Sequence, residues 1–315
     1  MKGSKKMSES TINESRAENA RVDVFDGYHP VVNLLYFAEV IGFSMFFIHP
    51  VCLGVSLICA FSYSLYINGK RALRFASRFL LPMLILTALI NPAFNHRGVT
   101  ILLYLPGGNP LTLESILYGI AAATMLITVV SWFSRFNAVI TSDKLVYLFG
   151  SLAPALSLIL TMSLRLIPRY RARLEIIANA RERAALYPDK SFIGKISDAV
   201  KNRSIMVTWA IENSVETADS MRARGYGLPG RTAFSIYHFD GRDKKALLYI
   251  LGCGALIFAG SISGAYSFRY FPSVKGEWSG VYAVAFFLVY FLLCAFPLII
   301  NIMDDILWKS IESKI

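Results

Sequence analysis

The chain has 315 residues, 55% of them hydrophobic, and a mean hydropathy of +0.50. Values this high exclude a soluble globular domain and indicate an all-α, polytopic membrane protein. The net charge is +11, and sixteen of the 32 lysines and arginines fall between Arg165 and Lys245.

Lys2, Lys5 and Lys6 open the chain, but no apolar core follows before residue 30. The pattern therefore lacks the form of a cleavable signal peptide, and the first apolar run is expected to remain as a permanent span. Residues 1–27 are polar, mixed in charge and short of aromatics, so a flexible cytoplasmic tail is expected. Val31 to Ile48 is uncharged except for Glu39, and Val51 to Ile67 follows His49-Pro50. Each is about the length a helix needs to cross roughly 30 Å of hydrocarbon, with the hairpin at Pro50, which removes a helix donor. An acid near mid-bilayer is costly, so Glu39 is expected to face the protein interior, protonated, in a helix-packing hydrogen bond.

Lys70, Arg71, Arg74 and Arg78 form a cationic loop that belongs on the cytoplasmic side. Two further spans fit Phe79 to Phe94 and Leu111 to Phe133, joined by a turn-rich outer loop from Asn95 to Pro110. Ala246 to Tyr266 and Ser279 to Ile300 complete about six transmembrane helices, followed by an amphipathic tail from Asp304 to Ile315, with both termini cytoplasmic. Val146 to Leu164 is also free of charge over nineteen residues. Were it to cross, the sixteen cations that follow would face outward, against the positive-inside bias. Gly150, Pro154 and the serines at 151, 157 and 163 suit instead a bent segment lying at the interface.

Four regions result: a tail at 1–27, a four-helix transmembrane region at 28–144, long amphipathic cytoplasmic or interfacial helices at 145–232, and C-terminal membrane helices with a short tail at 233–315. In the third region Arg169 to Leu186 has helical spacing until Tyr187-Pro188-Asp189 breaks it. A second helix from about Asn202 to Arg224 places Ile205, Trp209, Ile211 or Glu212, Val215, Ala218 and Met221 along one side, Trp209 as a packing anchor. Gly225 and Gly227 stop it as left-handed caps. Cys52, Cys59, Cys253 and Cys294 sit in apolar runs without paired spacing and read as small hydrophobes. His29, His49, His96 and His238 are scattered, which gives no metal-ligand pattern.

Ser163-Leu164-Arg165-Leu166-Ile167-Pro168 and Ala223-Arg224-Gly225-Tyr226 resemble two motifs of one family. It is the transmembrane coupling component (T, EcfT or CbiQ type) of energy-coupling factor (ECF) transporters, which are ABC-type importers. The first stretch is similar to the family's Ser-Leu-Arg-Phe-Ile-Pro lead-in, the second to its second Ala-Arg-Gly motif. At the first such motif Glu182-Arg183-Ala184 stands where the family has Ala-Arg-Gly, keeping the arginine and losing the glycine. Leu89-Ile90-Asn91-Pro92 and Thr141-Ser142-Asp143-Lys144-Leu145 extend the resemblance to roughly residues 28–230.

The resemblance implies a non-catalytic subunit in a bacterial or archaeal cytoplasmic membrane. Two long helices would cross there, each inserting its terminal arginine, Arg183 or Arg224, into a groove on one of two ABC ATPase subunits. Glu182, Ala184, Ala223 and Gly225 would flank those contacts. A separate substrate-capture (S) subunit would bind the vitamin or transition-metal ion, so the lipid bilayer, the S subunit and the ATPases are the implied partners, with no cofactor, metal or nucleic acid held by this chain. Guanidinium suits the role independently, because its planar fork of donors matches carboxylates.

Other classes fit less well. Gly194-Lys195-Ile196-Ser197 lacks the upstream glycine and the adjacent Ser/Thr of a phosphate loop. A membrane-embedded transferase needs a second acidic cluster beside Asp304-Asp305, and a stand-alone secondary transporter calls for broken helices and intramembrane charge beyond Glu39.

Overall fold

The computed structural model describes residues 22–95, 97–104, 110–184, 192–228, 237–276 and 281–313. Two His-Pro pairs set the first two helices, α1 (Pro30–Phe46) and α2 (Pro50–Asn68). In each, proline occupies the first turn, where its missing N–H costs nothing, and the preceding imidazole Nδ1 accepts the N–H of Val31 or Val51. Gly69, at φ +50°, ends α2 and turns the chain directly into α3 (Lys70–Phe94). The cations Lys70, Arg71, Arg74 and Arg78 are thus on a helix and not in a loop, because neither Gly nor Pro interrupts the chain between Gly69 and Pro82. Within α3, residues Ala76–Leu80 form a π turn in which the Leu81 N–H reaches the Ala76 carbonyl.

The loop after α3 holds a short antiparallel pair, β1 (Ile101–Tyr104) and β2 (Pro110–Thr112), which leads into α4 (Leu113–Val139). Thr112 caps α4, and the Glu114 carboxylate accepts from the Thr100 N–H and hydroxyl, tying the loop to the helix. The remaining helices are α5 (Ser142–Leu152), α6 (Pro154–Ala184), α7 (Phe192–Ala223), α8 (Gly241–Ile262) and α9 (Val281–Glu312). A short antiparallel pair, β3 (Phe268–Arg269) and β4 (Lys275–Gly276), lies between α8 and α9. Among the described residues five helices, α2, α3, α4, α8 and α9, are long and apolar enough to cross a membrane, and α1 is apolar but has 17 residues. This is an all-α, polytopic membrane protein.

The chain divides into two compact units, Met1–Thr141 with Tyr237–Ile315, and Ser142–Ile236. In the first unit α1, α2, α4, α8 and α9 share a core built on Tyr36, Phe37, Tyr63, Trp132, Ile250 and Leu293. A buried hydrogen-bond chain crosses it. The Trp132 Nε1–H donates to Ser56 Oγ at 2.9 Å, Ser56 pairs with Ser44 at 2.8 Å, and Ser44 with the Tyr290 hydroxyl at 3.2 Å. Helices α4, α2, α1 and α9 are joined in this way by groups that have no alternative partner in hydrocarbon. All four cysteines are buried and free, which accords with their apolar surroundings.

Three differences from the sequence expectation have physical causes. Of the expected tail at 1–27, residues 1–21 lie outside the described residues and 22–27 are not loose: a 3-10 turn, Val24–Gly27, places Phe25 in the core at 0% exposure. Helix α9 continues past Ile300 through the polar segment as far as Glu312, since nothing after Pro297 breaks it. Glu39 lies between α1 and α8 with its carboxyl against Gly254, where an added Cβ would fall 2.6 Å from Oε1. Its Oε2 is buried without a hydrogen-bond partner, so close packing on glycine, not a hydrogen bond, accommodates the group.

Helices α3 and α4 meet at Gly119. Pro92 deprives the Ala88 carbonyl of its helical donor. A Cβ at Gly119 would lie 2.8 Å from that oxygen and 3.2 Å from both Asn91 Cβ and Pro92 Cδ. The exposed carbonyl and the bare glycine therefore need each other. Gly119→Val is expected to force α3 from α4 and cost about 1–3 kcal/mol, read as a lower unfolding temperature in detergent, whereas Gly252→Val, which meets nothing within 4 Å, leaves it unchanged.

Candidate functional site

The second unit begins with an elbow. The uncharged run after Val146 is not one straight helix: Ala153 precedes Pro154, whose ring disfavours a helical predecessor, and the chain folds back there. Gly150 permits the approach, and the Ser157 hydroxyl donates to the Val146 carbonyl at 3.1 Å, pinning α6 against α5. Helix α6 then runs for 31 residues, fifteen earlier in its start than the Arg169 expected from sequence. Pro168 lies inside it, so Ser163-Leu164-Arg165-Leu166-Ile167-Pro168 is helical and not a lead-in to a later helix.

Helix α7 begins at Phe192, ten residues before Asn202, and packs on α6. Trp209 anchors the contact: its ring meets Tyr170 edge-on at 5.7 Å, and the guanidinium groups of Arg169 and Arg173 lie 5.6 and 5.3 Å from it. Arg165, Arg169 and Arg173 recur every four residues, one face of α6. The face of α7 differs from expectation. Met206 and Asn213 are buried, whereas Ile205, Ile211 and Val215 are 46%, 62% and 58% exposed. Ile196, Val200, Val207, Ile211 and Val215 make a second, uncovered apolar stripe on the opposite side of α7 from the packed one.

Beyond Trp209 the two helices border a groove of ≈ 580 Å³ lined by Arg165 and Arg169 from α6 and by Glu216, Thr217, Met221 and Arg224 from α7. Because the early part of α6 borders the late part of α7, the pair is antiparallel. Sequence reasoning treated Arg165 and Arg224 separately, yet they line one groove. The four-residue spacing of Arg165, Arg169 and Arg173 was the available signal, since it aligns those three along α6.

Arg224 occupies a defined helix end. Gly225 and Gly227 take φ of +80° and +95°, the left-handed values expected of them. The Tyr226 N–H reaches the Met221 carbonyl at 3.0 Å and the Gly225 N–H the Arg222 carbonyl at 2.9 Å. These two bonds are a Schellman motif with Arg224 as its C-cap residue, following Ala223. Glu182, Arg183 and Ala184 close α6, and Arg183 is exposed. The expected break at Tyr187-Pro188-Asp189 lies outside the described residues. Arg183 is thirteen residues past Tyr170, and Arg224 fifteen past Trp209. In an antiparallel pair this puts the two arginines about 40 Å apart along the helix axes.

Neither known protein families nor curated proteins give a match to this chain.

Proposed function

We propose that this chain is the transmembrane coupling component of an energy-coupling factor importer, with Arg183 and Arg224 as its contacts to two ATPase subunits. The reading rests on one observation above all: two long helices, crossing at Trp209, carry exposed arginines at opposite ends, one of them on a Schellman cap. A separation of about 40 Å is too wide for one small ligand and suits two protein partners. Ala223 and Gly225 leave the backbone on both sides of Arg224 open to close approach. The uncovered stripe of Ile196, Val200, Val207, Ile211 and Val215 offers an apolar surface to the substrate-capture subunit. Glu182, Ala184, Ala223 and Gly225 complete the coupling contacts.

On this reading the chain hydrolyses nothing, and substrate identity, vitamin or transition-metal ion, is set by the capture subunit. It sits in a bacterial or archaeal cytoplasmic membrane with both termini and the second unit in the cytoplasm. Affinity purification in mild detergent is expected to recover two ABC ATPase subunits and a small membrane protein; transport by the chain alone would overturn the proposal. Topology supplies an independent check. With the four native cysteines replaced, Val200→Cys is expected to resist a membrane-impermeant thiol reagent in sealed cells and to react after lysis, and labelling from outside would reject the cytoplasmic assignment.

A further inference from the structure

The groove between α6 and α7 holds more than the arginine assigned to coupling. With Tyr170 packed on Trp209, the antiparallel pairing sets Arg165 about level with Asn213, and Arg224 about 15 Å farther along the axis, beside the start of α6. Asn213 is 9% exposed and lines the groove, yet among the described residues its side-chain amide makes no hydrogen bond. Arg165 lines the groove too, and among the described residues its guanidinium meets no carboxylate and no ring. The neighbouring hydroxyls are committed. Those of Thr161, Thr217 and Ser214 donate to the Ser157, Asn213 and Ile211 carbonyls at 2.7, 2.7 and 2.6 Å. Arg169 lies over Trp209, so Arg165 and Asn213 are the donors left on this stretch for a ligand.

We infer that Arg165 and Asn213 hold the phosphate of an anionic phospholipid, with an acyl chain on the apolar floor of the groove. A guanidinium fork and an amide NH₂ both donate to phosphate oxygens, and the charge of the groove favours an anion. Arg165, Arg169 and Arg224 line it against one carboxylate, Glu216. The floor favours a lipid over free phosphate: Leu158, Met162 and Leu166 of α6 and Met221 of α7 lead from Arg165 towards the start of α6. There Leu156 and Ile159 are 65% and 60% exposed, and residues 146–164 carry no charge. Nineteen uncharged residues followed by Arg165, Arg169, Arg171 and Arg173 meet a bilayer surface in the order of acyl chain and phosphate. An acidic protein segment would account for the arginines but not for the uncharged run before them. Arg224 stays outside the site, so the inference does not depend on the coupling role.

The test is thermal unfolding of the full-length chain, without partners, in a neutral detergent. It is titrated separately with phosphatidylglycerol, with phosphatidylcholine of the same acyl chains, and with inorganic phosphate. Phosphatidylglycerol is expected to raise the unfolding temperature saturably, and the other two to do so weakly or not at all. Arg165→Ala is expected to weaken the apparent lipid affinity about five-fold. Asn213→Leu alters no charge and is expected to abolish the saturable response. Glu216→Gln removes the one carboxylate of the groove and is expected to tighten binding by up to about five-fold, a gain that misfolding cannot mimic. Arg203→Ala, an exposed cation on α7, is the control and should leave the titration unchanged. Equal stabilisation by both lipids, or an equal response to inorganic phosphate, would overturn the assignment. So would a phosphatidylglycerol titration left unchanged by Asn213→Leu or by Glu216→Gln, and the groove would then belong to an acidic protein segment.

Discussion

Replacing Arg183 and Arg224 together by alanine is expected to abolish transport and to release the ATPase subunits on purification, while the membrane helices stay folded. Each arginine is proposed to sit in a carboxylate-lined groove, and truncating one member of a buried, hydrogen-bonded charge pair costs about 2–5 kcal/mol, roughly 30-fold or more in affinity. The two changes lie about 40 Å apart, too far to share a partner residue, so their effects on assembly should add. Singly, Arg224→Ala is expected to be the more severe. Its guanidinium extends from a C-cap whose backbone is held by the Tyr226 and Gly225 N–H groups, so little freedom is lost on docking. At the other end the residue after Arg183 is Ala184, so Arg183 has no glycine to turn the chain as Gly225 does after Arg224.

The cap itself can be tested. Gly225→Ala keeps Arg224 but places a Cβ at φ +80°, a cost of about 1–2 kcal/mol. It should weaken coupling without changing any charge. Arg203 is a clean control because it is exposed and, among the described residues, lies over no ring, and an exposed cation contributes about 0–1 kcal/mol. Arg173 is not, since it packs over Trp209. If the double variant assembles and transports while Arg203→Ala does the damage, the coupling assignment fails.

Sequence reasoning reached the helix boundaries at Pro50, which starts α2, and at Gly225 and Gly227, which close α7 with positive φ. It did not reach features decided by neighbours. Pro168 looks like a boundary, yet α6 runs through it because the residues on both sides are strong helix formers. The packed face of α7 was misplaced because the helix carries apolar residues on two opposite sides, Met206 and Trp209 on one and Ile196, Val200, Val207, Ile211 and Val215 on the other. Periodicity cannot say which of them α6 covers. Glu39 was marked as unusual, but its accommodation depends on Gly254, more than two hundred residues away. Arg165 and Arg224 share a groove for the same kind of reason: the antiparallel sense of α6 and α7 follows from their packing and cannot be read from either motif.

Phe25→Ala is expected to destabilise the first unit by about 3–5 kcal/mol, the usual cost of removing a fully buried aromatic side chain. A residue in a free tail would change stability by less than about 0.5 kcal/mol, so the measurement separates the two descriptions of residues 22–27. The Phe25 ring lies 5.1 Å from Tyr36 and 6.1 Å from each of Phe37 and Phe296, bridging α1 and α9. Asp23 holds the turn in place. Its carboxylate accepts from the Phe25 N–H, from the Tyr63 hydroxyl on α2 and from the Asn301 amide on α9, and Asn301 returns a bond by accepting the Val24 N–H at 2.9 Å. Arg135 of α4, 3% exposed, lies over the Tyr63 ring at 5.8 Å, so the same knot reaches a third helix. Asp23→Ala should therefore also destabilise, by about 1–3 kcal/mol for each buried donor left without its acceptor. Val22→Ala is the control, because Val22 is 87% exposed. Thermal unfolding of the three variants in one detergent decides the matter. A loss confined to Phe25→Ala and Asp23→Ala means that a polar opening segment, by burying one aromatic ring and spending one carboxylate on two helices, clamps α2 to α9 at the end of the bundle where α1 begins.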